Sequence, residues 1–447
     1  MSKQTGNRLL DLAHSLVDFA AAEGADETEV TIHEGTEFNV DVRYGKIENL
    51  LESGSKHLSF RLIKDQKTAY AGSSDISPDT LHKLVLSSLK RLEFTQADEF
   101  SGLPESFEPY PDPEHLNLYD PSIETLDSRE KIDIALAAEH IALEDPRIAN
   151  SHGASFETRD ISTLVVNSRG FSGSFKESFF SLGLGLQAGD TENKVEGYWS
   201  TTDRFISEME PPETVAAKAV QRTVRQLNPK KITTQKVPVV FEPPMTAWLM
   251  GFLFGCISGT AVYQKATFLA ESLGQTIANP KITVINDGLM AGKLGTSPFD
   301  AEGIPCRRTV VLDQGLLKNF LLDTYTARKL GLQTTGSSSG SQVGPNNFYL
   351  EHGVDSPEAI VQSMEKGLIL TRTIGHGLNP VTGDISRGAF GMWVEKGEII
   401  HPVSEITISG NLGQILQEIE LVGNDLDFLS SICGPTIKIA ELTVAGR

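Results

Sequence analysis

Residues 246–277, TAWLMGFLFGCISGTAVYQKATFLAESLGQTI, change character at their middle. From Ala247 to Ile257 the stretch is apolar on every face and broken only by Gly251 and Gly255, whereas Tyr263 to Leu273 alternates apolar and polar residues at helical spacing. A buried helix followed by an amphipathic one is expected. The apolar run is about 11 residues long against the ~20 that span a bilayer, so it belongs in a protein core.

Downstream, β-rich segments follow at Ile282–Asn286, Arg308–Asp313, Leu316–Leu322, Asn347–Glu351, Leu368–Ile374, Gly388–Glu395 and Glu398–Ile400. Helices are expected only at Thr324–Leu330 and Pro357–Lys366. Upstream, Val237–Phe241 is a β-branched strand that follows a polar stretch containing Pro229. Helices interspersed out of strict alternation predict an α+β fold rather than a doubly wound parallel sheet. Residues 235–447 are therefore read as a β-rich C-terminal domain with a buried central helix.

In the N-terminal half, Leu9, Leu12, Leu16 and Phe19 share a helical face that stops at Gly24. Alternating segments then run from Glu29 to Gly72, with turn candidates at Tyr44-Gly45-Lys46 and Asp65-Gln66-Lys67, and Ser77-Pro78 opens a second helix. Pro104, Pro109, Pro111, Pro113 and Pro121 mark residues 99–121 as a linker. Beyond it the order recurs: a helix at 128–144, strands between 154 and 202, and a helix at 212–227. The pattern predicts a duplicated α-β(4-5)-α unit, in subdomains over residues 1–110 and 120–230.

A chain of 447 residues exceeds what one core usually serves. Its formal charge of −20, with basic residues clustered only in pairs such as Lys230-Lys231 and Arg307-Arg308, argues against a nucleic-acid partner. Cys256, Cys306 and Cys433 lie far apart and form no C-x-x-C pair, which suits a reducing compartment. The start, MSKQTGNRLLDLAHSLVDF, lacks an apolar signal core, so a cytoplasmic protein is expected.

Several motifs are weighed and set aside. No two of the ten histidines stand three, four or five apart, as a helical zinc site would require. Gly336-Ser337-Ser338-Ser339-Gly340 matches a nucleophile elbow in letters but follows a helix and precedes a strand, the reverse of what that turn needs. Gly183-Leu184-Gly185 sits inside a strand with no helix after it. Asp300 and Glu302, ahead of Arg307 and Arg308, read as a salt-bridged turn in preference to a paired-carboxylate site. Cys256, within the apolar run, should be an inert thiol of raised pKa. The polar loop from Thr334 to Asn347 is a candidate for a mobile substrate or partner contact.

The pieces SPFDAEGIPCRRTVVLDQG (297–315), LLDTYTARKLGL (321–332), VTGDISRGAFGMWVEKGEI (381–399), PVSEITISGNL (402–412), VGNDL (422–426) and GPTIKIAELTVAG (434–446) resemble the TldD/PmbA family, metallopeptidases once called modulators of DNA gyrase. In the TldD branch the central helix opens with a His-Glu-x-x-x-His zinc motif. Counting back from Gly274, its two histidines and glutamate fall on Met250, Gly255 and Gly251, so the chain looks like the PmbA/TldE branch. The family also uses a cysteine in a loop ahead of the final strand, but the segment before Cys433 is too short to match it.

The resemblance implies a cytoplasmic subunit with no catalytic residue, metal ligand or cofactor of its own. Zinc would sit in a TldD-type partner, and the pair would cut unfolded or extended peptides in an enclosed chamber. Candidate substrate contacts are Gly375, His376, Gly377, Asn379 and Gly388, where small residues beside a strand leave room for a second backbone. The same glycines also suit a tight hairpin. Two other functions stay open: a homodimeric peptide-binding or regulatory protein without protease activity, and an independent peptidase with an unrecognised site.

Overall fold

The computed structural model describes residues 3–190 and 193–446. Its N-terminal half contains α1 (Lys3–Ala22), β1 (Glu27–Arg43), β2 (Lys46–Lys64), β3 (Lys67–Ser73) and α2 (Pro78–Leu92). The order then repeats as α3 (Ser128–Leu143), β4 (Ile148–Asn167), β5 (Ser172–Ala188), β6 (Val195–Asp203) and α4 (Pro212–Val224). Each unit has three strands where four or five were expected. The strands are long instead of numerous: β1 and β2 run unbroken through Gly35 and Gly54 for 17 and 19 residues. A Cβ on Gly35 would meet the Asp160 carbonyl oxygen at 1.9 Å, so this glycine lets β4 approach and makes no turn. The real turns are Tyr44-Gly45 and Asp65-Gln66, where both central residues take positive φ, as two-residue hairpins require.

All six strands form one antiparallel sheet, in the order β3-β2-β1-β4-β5-β6, and the β1–β4 pairing joins the two units. Alternation sends Val30, Ile32, Phe38, Val40 and Val42 of β1 to one face, where α1 and α2 cover one end and α3 and α4 the other. The C-terminal half docks on the opposite face. There Phe299 packs edge-on against Phe171 and Phe175, at centroid distances of 5.1 and 5.3 Å, and linker residues Phe107 and Tyr110 join the cluster.

That half contains β7 (Gln235–Phe241), α5 (Pro243–Ile257), α6 (Gly259–Tyr263), β8 (Val284–Asp287), β9 (Arg308–Asp313), β10 (Leu316–Leu317), α7 (Thr324–Leu330), β11 (Asn347–Leu350) and α8 (Pro357–Gln362). It continues with β12 (Lys366–Ile374), β13 (Leu378–Asn379), β14 (Asp384–Glu395), β15 (Glu398–Asn411), α9 (Leu412–Gln417), β16 (Ile419–Val422), β17 (Ile432–Cys433) and β18 (Ile437–Ala445). One sheet runs β10-β9-β8-β11-β17. In the other, β7 pairs with β12 and β18, β12 with β14, β14 with β15 and β15 with β18, a closed circuit of five strands.

The α+β class and the buried central helix are as expected. Leu249, Met250, Leu253, Cys256 and Ile257 of α5 are fully enclosed in a core shared with both sheets. The amphipathic helix expected from Tyr263 to Leu273 does not form. Ser258 leaves helical geometry at ψ 139, α6 is five residues long, and Lys265 takes φ 53. The Phe268 N–H goes to the Pro380 carbonyl at 2.9 Å, so turns instead of a helix carry Leu269 into the core. Among the described residues, no helix is long and apolar enough to cross a membrane.

Candidate functional site

Pro243 and Pro244 start α5 without N–H groups, so the helix start needs no side-chain cap. Glu242, the residue before them, is used otherwise. Its carboxylate accepts two hydrogen bonds from Arg225, at 2.6 and 2.8 Å, and Arg222 approaches to 3.1 Å. Burial pushes the Glu242 carboxyl upward, but the two guanidinium groups outweigh it and hold it below the usual range.

The same turn of the chain ends β7, which covers β12 only at Leu368, Ile369 and Leu370. Beyond Leu370 a cavity of about 900 Å³ opens, lined by Tyr198 and Trp199 of β6, Arg222 of α4, Arg372 of β12, and Leu429 and Ile432. Its size suits a peptide segment. The Arg372 guanidinium lies 4.1 Å from the Phe390 ring centre, and its Nε is buried without a partner. Burial lowers its pKa, and the charge of Glu196 opposes this.

Ala247 also lines the cavity, and Gly251 and Gly255 continue its face of α5. A Cβ on Gly251 would meet only Ile432 Cδ1, at 4.0 Å, and one on Gly255 would meet nothing. Met250 points into the core. None of the three offers an oxygen, nitrogen or thiolate to a cation. The Cys433 thiol is buried, donates to the Ser430 carbonyl at 2.9 Å, and has its pKa pushed up by burial. Among the described residues no three His, Cys, Asp or Glu side chains converge to hold a metal ion. These residues do not fit a zinc ion.

The expected contact residues lie elsewhere on the same strand line. Ile374 pairs with Gly388 and Leu378 with Ile385, so Gly375, His376 and Gly377 form a one-residue bulge between β12 and β13. Gly375 takes φ 80, and a Cβ on Gly377 would sit 1.8 Å from the Ser386 carbonyl oxygen. Asn379 accepts the Val381 N–H at 3.0 Å and shapes the turn into β14, while Gly388 makes room for Ile374. Backbone geometry thus accounts for the glycines. None of the five lines the cavity; they continue outward from Thr371 and Arg372, which do.

Sequence reading missed Arg222, Arg225, Glu242 and Arg372. Arg222 near the end of α4 with Arg225 three residues on, and the Pro-Pro after Glu242, were the only local signals. Much of the loop 334–347 is packed, with Thr335, Ser337, Ser338, Asn346 and Asn347 buried, while residues 339–342 are exposed. The Ser338 N–H donates to Asp300 at 2.9 Å, within an irregular loop. Asp300 and Glu302 do form a turn, but the ion-pair partner is Arg61 of β2, 3.3 Å from Glu302. Burial raises the Cys256 thiol to about 11, so it is inert.

Profiles of the PmbA/TldA metallopeptidase domain 1, central domain and C-terminal domain match residues 28–91, 121–227 and 234–446. The Metalloprotease PmbA of Escherichia coli O157:H7 is 34% identical over 441 residues, which cover 98% of this chain and 97% of that protein. The Metalloprotease PmbA homolog of Haemophilus influenzae is 31% identical, with 96% and 94% covered. A Thermotoga maritima structure named for modulation of a DNA gyrase superposes with a TM-score of 0.89 at 27% identity, covering 98% of this chain and 100% of that one. TldE from Thermococcus kodakarensis reaches a TM-score of 0.85 at 23% identity, with 97% and 100% covered, and bears on the fold alone. In sequence over nearly its whole length the chain belongs to the PmbA/TldD family, whose similar curated members are named metalloproteases.

Proposed function

We propose that this chain is a PmbA/TldE-like subunit of a cytoplasmic zinc metallopeptidase that acts on unfolded or extended peptides. It binds no catalytic metal itself. A TldD-type partner carries the zinc, and this chain contributes part of the chamber, substrate contacts and the subunit interface. One observation carries the reading: where the resembling TldD branch has its zinc motif, α5 has the buried Met250 and the bare Gly251 and Gly255, and Ala247 on the same face as the glycines lines a large cavity with an uncovered strand edge. A strand edge in a cleft can hold an extended peptide but cannot by itself hydrolyse one.

The test measures zinc content and cleavage of an unfolded peptide by the purified chain, alone and mixed with a TldD-type chain. Expected are no stoichiometric zinc and no cleavage by the chain alone, and cleavage by the mixture above that of the partner alone. Stoichiometric zinc with robust cleavage by the isolated chain would overturn the accessory role. A stable homodimer that refuses the partner in native mass measurement would favour a peptide-binding regulator instead.

A further inference from the structure

We infer that the cavity receives the C-terminal end of an extended peptide, its main chain added antiparallel to β12 beyond Leu370 and its terminal carboxylate held by Arg372. This rests on the peptide-binding reading above and specifies which end of the peptide is read. Three features combine to give it.

The first is the edge. Glu242 N–H takes the Leu370 carbonyl at 3.3 Å and the chain then turns away into α5. From Thr371 to Ile374 this side of β12 has no strand partner among the described residues; the Thr371 carbonyl has only a long contact, 3.4 Å, from Arg222. Such an edge is a template for an added strand.

The second is that the edge is closed at one end. Glu242 and Pro243 stand where the next residue of an added strand would go, so a peptide lying on Thr371–Ile374 terminates or turns there.

The third is the charge at that end. Arg222 and Arg225 are already committed to Glu242. Arg372 has no hydrogen bond or ion pair among the described residues, and the acid whose charge reaches it, Glu196, lines the same cavity. Its guanidinium lies over the Phe390 ring, 4.1 Å from the ring centre, and carries a fork of N–H donors that matches a carboxylate. A carboxylate at the closed end places the peptide C-terminus beside Arg372 and its upstream residues toward Ile374, which makes the added strand antiparallel to β12. Leu429 and Ile432 contribute apolar surface to the cavity wall, so an apolar final residue is favoured.

The test uses fluorescence anisotropy at constant ionic strength. The probe is a short Thr/Val-rich peptide ending in Leu, dye-labelled at its N-terminus and made as the free acid and as the amide. The wild-type chain should bind the acid at least about tenfold tighter than the amide, the scale of a hydrogen bond to a charged group. Arg372→Gln should abolish that preference, and Arg372→Lys, which keeps the charge but not the fork, should retain only part of it. Equal binding of acid and amide by the wild type overturns the inference but leaves peptide binding standing, while binding of neither overturns both. A preference that survives intact in Arg372→Gln removes the role of Arg372. Full displacement of the peptide by millimolar acetate or phosphate would mean that a lone anion suffices, and would overturn the strand-addition half.

Discussion

Arg61 stands between Glu29, 3.4 Å away, and Glu302, 3.3 Å away, with all three side chains buried where the N-terminal sheet meets the C-terminal half. One guanidinium cannot neutralise two carboxylates. Burial raises Glu29 from 4.5 to about 7, with Arg61 opposing and Glu302 adding to the rise. Between those values the folded chain holds a proton that the unfolded chain has released, so this contribution to stability is complete below 4.5 and lost as pH rises through 7. Asp300, raised by burial and by Glu302, acts in the same direction. Glu29→Gln should therefore flatten the fall in melting temperature between pH 5 and 8 relative to the wild type, leaving a remainder from Asp300. An unchanged slope would remove Glu29 from the account. At this scale the sequence was legible only locally. Asp300 and Glu302 announce a turn, but Arg61 comes from more than two hundred positions earlier, |i−j| being 241 for the Arg61–Glu302 bond. Arg372 likewise has no neighbour in sequence that marks it.

Elements were more legible, because period and capping are properties of neighbouring residues. The closed run at Ala247–Ile257 is a helix for the reason its composition suggests, and Pro78, Pro212 and Pro357 each sit near a helix start. Glycine was the ambiguous letter. Gly35 admits a neighbouring strand, Gly45 makes a turn, Gly255 faces empty space and Gly377 fits a bulge. Two substitutions separate these roles. Gly255→Ala, inside α5 with room for a methyl group, should raise stability by about 0.5–1 kcal/mol by restricting the unfolded chain. Gly377→Ala drives its Cβ into the Ser386 carbonyl and should lower stability by more than about 1 kcal/mol. Urea midpoints compare the two, and the opposite order would refute the assignment.

Across the whole molecule, Arg204 ties the halves together. It is 2% exposed, donates to the carbonyls of Lys293, Leu294 and Thr296 at 3.0 Å each, and holds Glu177 at 2.7 Å. Arg204→Met leaves three carbonyls without their donor and removes the partner of the partly exposed Glu177, and should cost about 2–3 kcal/mol. Denaturation followed by tryptophan fluorescence should then split into two phases, because the link between halves weakens before either core does; a single unshifted transition would deny Arg204 that role. This tie was invisible in sequence, since its acceptors are backbone carbonyls with no side-chain signature.

The five-stranded circuit also imposes a schedule on synthesis. β7 is made before both strands that flank it, and its second flank, β18, comes after every other described strand. While the ribosome is still adding residues, Val239 and Phe241 have nowhere to hide. A nascent chain of this kind passes through a sticky, half-finished stage until β18 emerges, when cellular chaperones have most reason to hold it.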